Sequence, residues 1–219
     1  GFSDPRRGVS ALYDLGVECR EHIAHSTTSE DDRKMWRLRL EEIGIRVVNS
    51  LIEMGDVDCA RRTLESYFAA STSVSPENAQ RLALLYLKIG DIKKAQAIDD
   101  VDEDLEPLFA MAEGRYVDAA EQWEARLERG PAEGSNALLK QNLAVAYLYT
   151  GEIAKSKDIL ESLVADGESF ESLTVNLATL YELSSDRSKE LKLATAAKIA
   201  ERQKDRGATI PLTNAAFKL

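Results

Sequence analysis

The chain has 219 residues, 44% of them hydrophobic and 30% charged, which places it among ordinary folded chains and away from the disordered class. A formal net charge of −10 disfavours polyanionic partners such as nucleic acid or an anionic membrane surface, and there is no Lys/Arg block longer than a pair such as Arg61–Arg62 or Lys93–Lys94. Two cysteines, Cys19 and Cys59, form no secreted disulfide framework and fit a reducing compartment, while apolar runs such as 145–149 are far too short to span a membrane.

Helical periodicity covers most of the chain, with predicted helices at about 6–25, 30–53, 57–70, 76–89, 92–99, 104–113, 116–129, 134–149, 152–166, 169–184 and 187–205. Strand alternation and Asn-Gly or Asp-Gly hairpin turns between strand-like runs are missing. Thr28 or Ser29 is placed to cap the second helix, with Glu30, Asp31 and Asp32 at its positive end. Ser75–Pro76 opens the fourth helix in the same way, and 131–135 reads as a short linker. The acidic run 99–104 reads as a solvent-facing interruption, and Ile210–Pro211 begins a non-helical tail. The expected organisation is one repeat domain over 1–209 and a tail over 210–219.

The glycines set the phase of a repeat. Gly55–Asp56, Gly90–Asp91, Gly114–Arg115 and Gly151–Glu152 each lie between two helices, and a small residue follows each glycine by five positions: Ala60, Ala95, Ala119 and Ser156. Glycine permits the sharp turn, and a small residue on the next helix permits close approach. Intervals of 35, 24 and 37 residues between these glycines imply a truncated third unit. The run 142–147 (NLAVAY) returns 34 residues later as 176–181 (NLATLY), and 82–86 (LALLY) precedes Gly90 in the phase that 143–147 precedes Gly151. That interval is the tetratricopeptide period. Ala83, Ala144 and Ala178 are expected against partner helices, and Tyr86, Tyr147 and Tyr181 are expected to fill the inter-helix space with hydroxyls at a polar edge. The fold class is therefore all-α, a tetratricopeptide-like solenoid of antiparallel helix pairs, with the charged helix from Arg187 as the exposed end.

No constellation points to an enzyme, a metal or a cofactor. His22 and His25 share a helix face without further ligands at metal spacing, and the acidic run lacks the glycine and the closing glutamate of a calcium loop. Nucleotide-binding glycine loops, a nucleophile elbow and the zinc-protease motif are missing too, so the expectation is a non-catalytic chain without a small-molecule substrate. Some tetratricopeptide proteins clamp a C-terminal carboxylate with Lys, Asn and Arg on the first helices of successive pairs. Arg46, Asn49, Arg81, Asn142 and Asn176 occupy such phases, yet Ile45 stands where a lysine is needed and Glu77 carries the wrong sign, so an intact clamp is not expected. The bland alternative for the two later asparagines is hydrogen bonding between neighbouring repeats. Among the aromatics, Trp36 and Tyr149 are the candidates for partner contact.

The run 176–188 (NLATLYELSSDRS) resembles the C-terminal tetratricopeptide domain of the TRAPP complex subunit 12 family, and 214–219 (NAAFKL) is similar to the family's ending. The resemblance implies a non-catalytic scaffold subunit of a vesicle-tethering complex that activates a Rab GTPase, in endoplasmic reticulum to Golgi transport and autophagy. It implies large peripheral TRAPP subunits as partners, and a cytoplasmic location at those membranes without direct insertion. It also implies a long N-terminal region absent from this sequence, which starts at Gly1 without an initiator Met. Arg187 lies within the matching run as an interface or capping residue. The alternative is a free-standing adaptor that captures short peptide segments of its partners in a groove.

Overall fold

The computed structural model describes residues 5–25, 29–68, 76–99, 105–130 and 136–205. The cap at Thr28 or Ser75, the acidic residues 100–104, the linker 131–135 and the tail from 210 lie outside the described residues, as do the side chains of Tyr67, Phe68 and Glu77. Among the described residues the fold is all-α, with eleven helices and no strand: α1 (Pro5–Ala24), α2 (Glu30–Glu53), α3 (Val57–Phe68), α4 (Pro76–Lys88), α5 (Ile92–Gln96), α6 (Glu106–Ala112), α7 (Tyr116–Glu128), α8 (Asn136–Thr150), α9 (Ile153–Ala165), α10 (Glu171–Ser184) and α11 (Ser188–Asp205). The chain divides into two compact units, residues 1–112 and 113–219.

The turns explain why the helices end where they do. Gly90 and Gly151 have φ of 80° and 85°, a region that penalises any residue with a Cβ. Gly90 N–H donates to Leu87 O at 3.0 Å and Asp91 N–H to Tyr86 O at 2.9 Å, satisfying carbonyls at the end of α4. The corresponding bonds at the end of α8 run from Gly151 to Leu148 O and from Glu152 to Tyr147 O. The residue after the glycine then opens the next helix. Asp91 Oδ1 accepts from Lys94 N–H at 3.4 Å and Asp56 Oδ1 from Cys59 N–H at 3.1 Å, each filling a donor left free in a first turn. Ser29 Oγ caps α2 by accepting from Asp32 N–H at 3.1 Å.

In the first unit α2 packs against α1, α3 and α4, α4 against α5, and α5 against α6. Its core is aliphatic, built on Ile45, Val48, Leu64, Leu82, Leu85 and Phe109. Ala60, Ala83 and Ala95 are completely buried, and Tyr86 fills space beside them. In the second unit α8 packs between α7 and α9, and α10 between α9 and α11. Leu160, Leu163, Leu173, Leu177 and Leu180 form its centre, each fully buried leucine contributing about 1.5–3 kcal/mol over exposure.

The small positions of that unit show how close two helices come. Ala119 and Ala144 are completely buried and Ala178 nearly so, while Ser156 Oγ donates directly to Ala144 O at 2.6 Å, a backbone carbonyl on the facing helix. The tyrosine hydroxyls sit at polar edges. Tyr147 donates to Glu124, and Tyr181 donates to Glu161 at 3.0 Å and meets the Thr195 hydroxyl at 3.1 Å. Burial, with Glu161 nearby, pushes the Tyr181 phenol up to about 12. At the last turn Ser185 takes extended backbone instead of a left-handed turn, and its Oγ accepts from Arg187 N–H at 3.1 Å.

A Cβ added at Gly90 meets nothing within 4 Å, so substitution there isolates backbone strain from crowding. Gly90→Ala is expected to lower stability by about 1–2 kcal/mol, read from urea unfolding followed by circular dichroism. An unchanged midpoint would contradict the left-handed turn.

Candidate docking grooves

Four of the six predicted contact residues gather around α2. Asn49 and Arg81 line a groove of about 400 Å³ formed by α2, α4 and α6, whose apolar floor includes Leu84, Leu87 and Leu108. Trp36 and Arg46 line a different groove, of about 650 Å³, between α1 and α2. The other two residues lie in the second unit. Tyr149 is 61% exposed and stacks on Tyr116 with ring centroids 4.4 Å apart, and Arg187 is an exposed residue paired with Glu190 at 2.5 Å.

Glu42 is the electrostatic centre of the α2–α4 face. It accepts from Arg81 Nη1 at 2.5 Å across the two helices and from Arg46 Nε at 2.7 Å within α2. The Arg81 hydrogen bond, aided by Arg46, holds the Glu42 carboxyl below its ordinary range. A parallel link runs from Asn78 Nδ2 to Glu41 at 2.8 Å. Two turns beyond Arg81 on α4, Lys88 donates to Asn49 Oδ1 at 3.3 Å and finds no carboxylate partner among the described residues. The groove therefore joins an apolar floor to one neutralised guanidinium and one ammonium available to a ligand. An apolar peptide or helix bearing a carboxylate matches that combination.

Sequence reasoning missed Lys88 and Glu42. The signal for Lys88 was its spacing of seven residues from Arg81, which returns it to the same helix face after two turns. Nothing local marked Glu42, because its role depends on an arginine 39 residues away. Asn142 and Asn176 are half-buried, and the observed link between α8 and α10 instead joins Ser172 Oγ to Gln141 Oε1 at 3.2 Å. His22 stacks on Trp36 with centroids 4.2 Å apart, and the Arg39 guanidinium lies 4.6 Å from the indole centroid. Among the described residues, no three His, Cys, Asp or Glu side chains form a metal-holding group, and no helix is long and apolar enough to cross a membrane.

The fold and its grooves define an all-α chain of helices packed in consecutive pairs that presents amphipathic helix faces to solvent. The chain is similar to trafficking protein particle complex subunit 12 of Homo sapiens, with 25% identity over 93% of this chain and 32% of the human protein. Similarity to the same subunit of Mus musculus is 24% over 93% of this chain and 30% of the mouse protein. It is a distant homologue of these proteins over nearly its whole length, and it spans about a third of theirs. No family model matches the chain, and no solved structure matches it.

Because Glu42 is depressed in the folded chain, its link to Arg81 is fully present above the ordinary carboxylate range and is lost as pH falls through the depressed value. A carbon-detected NMR titration is expected to place the Glu42 midpoint below those of exposed glutamates, and Arg81→Gln is expected to raise it. An unshifted midpoint would contradict the Arg81–Glu42 link.

Proposed function

We propose that this chain is a non-catalytic, tetratricopeptide-like docking module of a vesicle-tethering complex of the TRAPP kind. Its partners are the large peripheral protein subunits of that complex, and it works on the cytoplasmic side of endoplasmic reticulum and Golgi membranes without inserting into them. The observation that carries this reading is the homology to trafficking protein particle complex subunit 12, which runs along 93% of the chain. The helix pairs support it physically. A module of this kind binds through the faces its pairs leave open, and the α2–α4 groove offers an apolar floor with polar groups at its edge.

A second reading is favoured by one feature of the same groove. Lys88 and Asn49 lie beside exposed apolar surface, which also suits a free-standing adaptor for short acidic peptide segments. The two readings differ in what remains bound when the chain is isolated.

Affinity capture of this chain from a eukaryotic lysate in mild salt, followed by mass spectrometry, separates them. The tethering reading expects the large TRAPP subunits in stoichiometric yield, with Leu84→Glu plus Lys88→Glu lowering recovery by about tenfold or more. Stoichiometric recovery of another partner without TRAPP subunits would sink that reading and leave the adaptor.

A further inference from the structure

The α1–α2 hairpin is incompletely covered by its own unit. α2 has 24 residues, about 36 Å of helix, yet its buried side of the chain begins only at Gly44. Upstream of that point every residue of α2 is exposed or half-buried, and the side-chain links from α4 fall at Glu41 and Glu42, near the end of this stretch. The outer side of this half is apolar. Leu15, Met35 and Leu38 are 48%, 38% and 46% exposed around the groove that Trp36 lines.

The charge pattern selects the occupant. A groove shaped for an acidic or a basic partner carries one sign along both walls. Here Glu18 stands on the α1 wall, while the α2 wall carries Arg39 beside Glu42 and Arg46, which pair with each other; Arg39 meets the Trp36 ring but no carboxylate among the described residues. A two-fold copy of the same surface brings the α1 wall of one chain to the α2 wall of the other, so each acid finds a base. Residues 5–53 hold eight Lys/Arg against nine Asp/Glu, a net charge of −1 in a chain carrying −10. Two copies therefore meet there with little mutual repulsion.

We propose that this chain self-associates through the α1–α2 groove as an isologous dimer, the two hairpins closing into a four-helix bundle. Leu38 is the apolar anchor of each half, and Glu18 with Arg39 sets the pairing. The inference stands apart from the tethering reading, because it concerns a different face and a different partner.

Analytical ultracentrifugation of the purified full chain tests it. Wild-type chain is expected to pass from monomer to dimer with concentration, and Leu38→Glu is expected to raise the dissociation constant by at least about 30-fold. Glu18→Arg and Arg39→Glu are each expected to weaken the dimer, whereas an equal mixture of the two recovers a 1:1 heterodimer. Unchanged far-ultraviolet circular dichroism in each variant keeps misfolding out of the comparison. A wild-type chain that stays monomeric at every concentration overturns the proposal, even if another protein occupies the groove. A dimer indifferent to Leu38→Glu overturns it as well.

Discussion

Close approach of paired helices is the constraint on which the rest of the structure depends. Ala60, Ala95, Ala119 and Ser156 each sit five residues beyond a turn glycine, and each is essentially inaccessible to solvent. Ser156 shows the consequence most directly, since its hydroxyl reaches a backbone carbonyl on the facing helix at 2.6 Å. Larger side chains there would force the helices apart or off their preferred rotamers, at a cost of about 1–3 kcal/mol each. The leucine layers and the edge tyrosines fill the space that this approach defines.

Once the pairs are fixed, polar links set how one pair meets the next. Glu41 and Glu42 on α2 take Asn78 and Arg81 from α4, and Lys88 reaches back to Asn49. Apart from the buried Asn78, the groups in these links are partly exposed and individually modest, so they orient helices more than they stabilise them. They also leave the strip between α2 and α4 apolar and uncovered, with Lys88 at its edge. The uncovered apolar strip is thus a by-product of pair-on-pair packing, since amphipathic pairs keep some apolar surface that their own neighbours do not bury.

The helices were largely legible in the sequence because glycine and aspartate act locally. The expected boundaries of α2 coincide with the observed ones, and the departures have local causes. α5 stops at Gln96, short of the expected 99, where Ala97 serves as its C-cap. α10 begins at Glu171, after Phe170 takes extended backbone, and Gly167 ends α9 with the same turn that the phase markers use. The grooves were not legible, since each is assembled from residues tens of positions apart. Asn49 and Arg81 were readable as polar phases, but the pairing of Arg81 with Glu42 exists only once α4 lies on α2.

Hydrogen exchange of this chain, free and bound to the partner it captures, tests the docking account most directly. The account predicts slowed exchange in peptides covering 41–53 and 78–89, where the α2–α4 groove lies, because a bound helix or peptide excludes water from that face. Slowed exchange confined to other peptides, with these two segments unchanged, would contradict it.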